Sequence, residues 1–418
     1  MKKRYDSYKP SGIDWIGDIP SHWTVSKLKH HIHIDSGDYI SKDEISDDNK
    51  IPVFGGGEQI GFASKSNVSE NTLIIGRVGA RCGCVTPIIQ RAWATDNSLI
   101  CIPKKDFKFL YYLLLAANLN KLNESNAQPL ITSTKVKNLI IGMPPLAEQE
   151  AIAAWLDTQC EEIDAAITKV DREIELIDEL KQSEISRVVT RGLNPDTPLR
   201  PSGIDWINEI PVNWSSMKLK HTVKNIESDF MDGDWIESTD ISTEGIRYLT
   251  SGNIGAGFYK EQGEGFISED TFAELDCIEV FPGDLLISRL NEPIARTCFI
   301  PNLGYRIVTC VDNVIYRPKL GQFDKRFMMY QLNSKPFWFN ASQLSSGATM
   351  QRISRSKLGS IKIIVPPLSE QQAIADYLDK KCAVIDGLKA KLTKKRETLT
   401  ELRQSIISEV VTGKRKII

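Results

Sequence analysis

The chain has 418 residues, of which 41% are hydrophobic, enough for two or three domains with cores of their own. Its 52 basic and 54 acidic residues leave a net charge of −2, so a grip on any polyanion has to come from local clusters and not from a global field. The longest mainly apolar run, 109–119, falls short of the roughly 20 residues a membrane span needs, and no apolar stretch follows the Met-Lys-Lys-Arg start, so a cytoplasmic protein without a membrane segment is expected.

In chain order, the first feature is PSGIDWI at residues 10–16, which returns without change at 201–207. The match runs on through Ile19-Pro20 with Trp23 and Ile210-Pro211 with Trp214, and both copies close on Lys-Leu-Lys-His. Trp15 and Trp206 read as packing anchors of this entry phrase. A body follows each copy. Short β-rich runs at 72–77, 83–89 and 98–103 correspond to 284–289, 296–301 and 313–318. Each body adds one apolar helix, near 107–118 and near 325–333, and a last strand running into a pair of prolines. Gly55-Gly56-Gly57 and the stretch 251–255 occupy matching places after a strand and read as tight turns, because no Gly-Lys-Ser/Thr follows to cradle a phosphate. The eight cysteines are scattered; Cys82 and Cys84 have no second pair at metal-ligand spacing, so free thiols are expected.

Pro144-Pro145-Leu146 with Glu148-Gln149 opens a segment that recurs at Pro366-Pro367-Leu368 with Glu370-Gln371. Proline cannot continue a helix backwards, and Ser369 with Gln372 fits a capping box, so a helix is predicted to start after each proline pair. Leu156, Ile163, Val170 and Ile177 repeat every seven residues in the first copy, widened by Ile167, Ile174 and Leu180; Leu378, Ile385, Leu392, Leu399 and Ile406 do so in the second, with Leu388 and Leu402 on the same side. The first helix should run about 44 residues, or roughly 66 Å. Residues 146–192 hold 5 basic and 12 acidic side chains, whereas 368–418 hold 11 and 7. Opposite balances favour pairing the two helices with each other, antiparallel, over pairing either with its like.

The expected fold is therefore α+β: two mixed domains related by a pseudo-twofold axis, separated by an antiparallel two-helix coiled coil. Its segments are 1–143, a first spacer helix at 144–192, a linker at 193–200, a second body at 201–365 and a second spacer helix at 366–418. The first helix leads through the linker into PSGIDWI, whereas the second ends in VVTGKRKII. Symmetry would then let residues 1–9 and the C-terminal tail together replace the linker, with the two termini adjacent.

Tandem units with these entry and helix-start phrases, twice in the same order over essentially the whole chain, resemble the specificity subunit of type I restriction-modification systems. The resemblance implies two target recognition domains, each reading half of a split double-stranded DNA site, with the helical spacer setting the gap. It also implies docking to two methyltransferase subunits and to restriction subunits that act as motor and nuclease. A bipartite reader on a stiff ruler suits the roughly 34 Å repeat of DNA. Base reading needs forked donors on loops. The candidates in the first body are Arg77, Arg81, Gln128, Thr132, Ser133, Lys135 and Lys137. Those in the second are Arg289, Asn291, Arg296, Ser346, Thr349, Gln351, Arg352 and Arg355, concentrated in the run 345–355. The first body lacks the Ser-Gly phrase and both arginines of that run.

No residues read as catalytic. Asn194-Pro195-Asp196 is the nearest string to the Asp/Asn-Pro-Pro-aromatic motif of a DNA amino-methyltransferase and lacks its key positions, and no Walker lysine or glycine-rich cofactor fingerprint is present. S-adenosylmethionine, ATP and Mg²⁺ are thus expected in partner subunits, with no cofactor or metal in this chain. Two other readings stand beside this one: a scaffold without a nucleic-acid role, and a self-contained restriction or modification enzyme.

Overall fold

The computed structural model describes residues 3–123, 129–290, 292–347 and 350–417. The chain divides into two compact units that cut across its linear order: Met1–Arg172 with Leu392–Ile418, and Glu173–Lys391. Each unit holds one body, the start of the long helix that follows it, and the end of the other copy's long helix. The helices run over Leu146–Arg191 and Leu368–Val411, each starting directly after its proline pair.

In the first unit the entry phrase folds into an antiparallel hairpin of Tyr8–Pro10 on Asp18–Pro20. The body has a four-stranded antiparallel sheet in the order Ile32–Ser36, Ser98–Pro103, Thr72–Gly76, Val85–Ile88. A three-stranded sheet joins Glu58–Ala63, Ile51–Gly55 and Trp93–Ala94, the last two parallel. Strand Ile140–Met143 returns beside Thr24–Lys27. Gly56 and Gly57, at φ of 63° and 89°, make the turn between Ile51–Gly55 and Glu58–Ala63, a conformation that side chains with a Cβ resist.

The second unit repeats this plan. Leu199–Ile204 pairs with Ile207–Pro211. The four-stranded order is Phe230–Asp232, Asn313–Tyr316, Leu285–Ser288, Thr297–Phe299, and Phe266–Ile267, Ile246–Leu249 and Ile307–Thr309 form the three-stranded sheet. Ser215–Lys218 pairs with Lys362–Val365. Two bodies with the same strand order are the structural form of the internal repeat. The expected apolar helices are Phe107–Ala117 and Lys325–Leu332. Helices that were not expected include Ser133–Asn138, Arg355–Ser360 and Lys335–Gln343. The first two are single turns capped by the side chains of Thr132 and Ser354, and the third has Pro336 in its first turn. All three starts carry ordinary capping signals.

The two repeated phrases turn out to be bonding partners. Trp23 and Trp214 are fully buried, and their indole N–H groups donate to Glu148 at 3.2 Å and to Glu370 at 2.7 Å. Gln149 and Gln371, also buried, donate to the carbonyls of Pro144 at 2.8 Å and Pro366 at 2.9 Å. Ser369 lies inside the helix and is not its cap. The carbonyls of Pro145 and Pro367 accept the first helical amides instead, so the helix begins before the serine. In the first unit the end of the second helix docks on the entry hairpin: Ile406, Ile407, Val410 and Val411 join the core that contains Ile16, Ile19 and Trp23. Tyr8 donates to the Gly413 carbonyl at 3.2 Å and the Lys416 amide to Lys3 at 2.9 Å, which places the two terminal segments together. In the second unit Ile185, Val188 and Val189 share a core with Ile204, Ile210 and Trp214. Trp15 and Trp206 pack at the margins of these cores.

Within each unit the helix segments run antiparallel. Asp164 pairs with Arg403 at 2.8 Å and Asp171 with Arg396 at 2.6 Å in the first. Asp178 pairs with Lys389 and Lys181 with Asp386, both at 2.7 Å, in the second, where Tyr377 also donates to Glu184 at 2.5 Å. Asp164, Asp171 and Asp178 fall one heptad apart, as do Arg403, Arg396 and Lys389, so each ion pair keeps the same register. These pairs are largely solvated and worth under about 1 kcal/mol each; they select the register, and the apolar seam supplies the stability. Leu156, Val170, Leu378, Ile385 and Ile406 are buried, and Ile163, Ile177, Leu392 and Leu399 are half-buried. Leu180, Leu388 and Leu402 depart from the expected stripe, being 54%, 48% and 47% exposed. A helix with one partner covers only a narrow seam, which leaves flanking positions in water.

All eight cysteines are free, and only Cys84 is exposed. No helix among the described residues is long and apolar enough to cross a membrane.

Candidate nucleic-acid interface

The run after the apolar helix returns to the edge of each body by a backbone contact. In the second unit Leu290 bridges Arg352, and the Ile353 amide donates to the Arg289 carbonyl at 3.1 Å. In the first, Val78 bridges Leu130, and the Ile131 amide donates to the Arg77 carbonyl at 2.9 Å. Arg77 and Arg289 are therefore equivalent, as are Leu130 and Arg352, and Ser133 and Arg355. The same scaffold carries different side chains at this edge.

In the second unit the edge is a guanidinium cluster braced by carboxylates. Arg352 meets Asp312 at 2.7 Å and Arg355 meets Asp232 at 3.4 Å, and both arginine side chains remain 43% exposed. Arg355 also donates to the Phe230 carbonyl at 3.1 Å. Arg289 differs. Only 5% exposed, it donates to the carbonyls of Ile353 and Val311 and lies 3.1 Å from Asp232, in an orientation that makes an ion pair without a hydrogen bond. Burial pulls the Arg289 guanidinium below its ordinary value and pushes the Asp232 carboxyl up, with the arginines opposing the second shift. Arg289 thus holds the edge from within, and Arg352 and Arg355 face outward. A carboxylate behind an arginine fixes the planar fork, which is the geometry that bidentate recognition of a base edge requires.

The other expected candidates separate in the same way. Arg296 is turned inward, donating to the carbonyls of Ile254 at 3.0 Å and Pro293 at 3.2 Å. Gln351 accepts from the Ser345 hydroxyl at 3.3 Å, and Ser346 is tied through its backbone to Arg352. In the first unit the Thr132 hydroxyl caps Ser133–Asn138 and Lys135 reaches the Leu122 carbonyl at 3.1 Å, so both serve the local turn. Arg81 pairs with Glu58 at 3.3 Å on the exposed surface. Arg77 is half-buried and its Nε has no partner among the described residues, and Ser133 and Lys137 are half-exposed on the short helix. Gln128, Asn291 and Thr349 lie outside the described residues. Sequence reasoning missed Asp232, at the end of a strand, and Asp312, in a turn, because carboxylates far along the chain leave no local pattern beside the arginines they brace.

The chain matches the type I restriction modification DNA specificity domain twice, over residues 20–176 and 211–395. It belongs to that family. Over 365 residues it is 25% identical to the type I restriction enzyme MjaVIII specificity subunit of Methanocaldococcus jannaschii, covering 84% of this chain and 80% of that protein. It is 19% identical to the EcoDI specificity subunit of Escherichia coli over 419 residues, 95% of this chain and 89% of that one. A solved structure described as the structural basis of complex assembly and conformational transition of the type I R-M system shares the fold. Its TM-score is 0.67 at 16% identity, over 94% of this chain and 98% of the other. The two matched spans of this specificity subunit fall on the two bodies and the helix starts that follow them.

Proposed function

We propose that this specificity subunit is the non-catalytic DNA reader of its complex, each body recognising one half of a bipartite double-stranded site. The observation that carries this reading is one strand topology, duplicated, with unlike side chains at equivalent edges: Arg352 and Arg355 in one body, Leu130 and Ser133 in the other. Two copies of one scaffold with different edges suit a target whose halves differ in sequence. The paired helices are the spacer that sets the gap. The entry phrases and helix starts, common to both copies and locked by the Trp-Glu bonds, are the surfaces offered to two methyltransferase subunits and to the restriction subunits. S-adenosylmethionine, ATP and Mg²⁺ belong to those partners.

Methylome sequencing of cells with and without the gene tests this directly. One split motif, present with the gene and lost without it, is the expected result. A continuous motif, or no change, contradicts the reading. Methylation or cleavage of target DNA by the pure chain would show it to be an enzyme in its own right, and absence of DNA retention by the complete complex would favour a scaffold.

A further inference from the structure

Two aromatic side chains project into solvent at corresponding places in the two bodies: Tyr39 is 75% exposed and Trp235 68%. Each ends a Gly-Asp-aromatic triplet, Gly37-Asp38-Tyr39 and Gly233-Asp234-Trp235. The triplets are clasped alike. The amides of Gly37 and Asp38 donate to Ser98 and Ala94, both at 3.0 Å; those of Gly233 and Asp234 donate to Asn313 at 2.9 Å and Thr309 at 2.8 Å. A Cβ on Gly37 would lie 2.2 Å from the Thr95 carbonyl oxygen, and one on Gly233 would lie 2.3 Å from that of Thr309, so this close approach needs glycine. The aspartates are held too: Asp38 accepts from Asn67 at 2.9 Å and Asp234 from the Ile278 amide at 3.0 Å. A rigid stem thus presents a ring that gains nothing from the core.

Beside Tyr39 the first body has a cavity of about 550 Å³, lined by Tyr39, Gly56, Ile60, Val78, Thr95 and Asn97 among others. Val78 is the residue that bridges Leu130 at the candidate reading edge. Thr95 is only 5% exposed and its hydroxyl has no hydrogen-bond partner among the described residues. It lies near Gly55 on the side that the exposed Ile60 side chain covers, and both residues line the cavity. One aromatic wall, apolar sides and a spare hydroxyl under the floor suit a flat heterocycle with a polar edge.

We propose that Tyr39 and Trp235 are stacking platforms for a DNA base, one in each half-site, and that the cavity beside Tyr39 receives the base stacked there. This rests on the DNA-reading function above and deepens it. A base of the duplex offers its π-face only once it leaves the stack, and stacking is then indifferent to base identity, so one device serves two readers whose hydrogen-bonding edges have diverged. Both side chains are exposed, so replacing them leaves the fold intact.

The test uses the full chain assembled with its methyltransferase subunits on a duplex carrying the methylome-defined site. With p-benzoylphenylalanine in place of Tyr39, and separately of Trp235, irradiation should attach the chain to DNA, each position to a different half-site. Adducts on the methyltransferase would make the triplets protein-docking elements and overturn the proposal. So would absence of any adduct while the duplex remains bound. Tyr39→Ala should weaken duplex binding about tenfold and Tyr39→Phe should preserve it; equal affinity for all three overturns the stacking role. Failure of the unmodified complex to retain the duplex would instead refute the DNA-reading function itself, and the stacking proposal with it.

Discussion

Ile385→Asp tests whether the seam of the paired helices is a true apolar interface. Ile385 is 4% exposed, and three residues farther along the same helix Leu388 is 48% exposed. Removing the buried isoleucine forfeits about 2–3 kcal/mol of transfer free energy. A carboxylate placed in the seam adds a further penalty of about 1–3 kcal/mol, unless it takes up a proton or bends out to water. The total is about 4 kcal/mol, which for a unit of this size lowers its melting temperature by roughly 8–16 °C. Leu388→Asp gives up only about 1 kcal/mol, because half of that side chain is already in water. Calorimetry of the full chain, followed with circular dichroism at 222 nm, reads both. The aspartate at position 385 should also hold its pKa above the ordinary carboxylate range, so its penalty should shrink as the pH is lowered towards 4. Equal shifts for the two variants, or none for Ile385→Asp, would refute a buried seam. Should Ile385→Asp not fold, Ile385→Ala, expected to cost about 2–4 kcal/mol, gives the same comparison.

Three further outcomes are expected. Arg352→Ala should weaken binding of the cognate duplex by about 1–3 kcal/mol and relax selectivity at one base pair in one half-site, read by methylome sequencing and mobility shift; uniform weakening across all sequences would assign Arg352 to phosphate contact. Arg289→Ala should instead lower the melting temperature of the second unit, because it leaves half-buried Asp232 with less compensation, and a specificity change without destabilisation would contradict its inward role. Glu184, hydrogen-bonded by Arg187 and by Tyr377, is held down at about 2, and a depressed carboxylate contributes stability above its unfolded pKa that is lost as the pH falls through the folded one. The helix pair of the second unit should therefore weaken between about pH 4.5 and 2, modestly because the site is near solvent. Glu184→Gln should flatten that part of the pH-melting profile, and an unchanged profile would contradict the assignment.

The repeat phrases were legible because they are local and because their partners recur with them. Trp23 and Glu148, like Trp214 and Glu370, are bonded pairs, so both members had to appear in each copy. Heptad leucines and isoleucines announce a helix from spacing alone, since 3.5-residue periodicity is a property of one chain segment. Opposite charge balances foretold the partner, and Asp171 with Arg396 and Asp178 with Lys389 are the contacts that follow. The width of the stripe was harder to read. Leu180, Leu388 and Leu402 share the chemistry of the seam, and only the number of neighbouring helices decides whether such a side chain is covered.

The edges of the bodies show where linear reading stops. Arg289, Arg352 and Arg355 are alike in sequence, yet folding buries the first and leaves the other two half-exposed on carboxylates from distant segments of the chain. Repeated phrases and heptad periodicity settle that this chain is a duplicated unit, each copy ending in a long helix, because those properties are written over short windows. Which arginines face outward, which threonine is spent as a cap, and that Tyr39 and Trp235 stand at equivalent places follow only from the strand pairings, since a side chain's solvation and neighbours are set by residues far away along the chain.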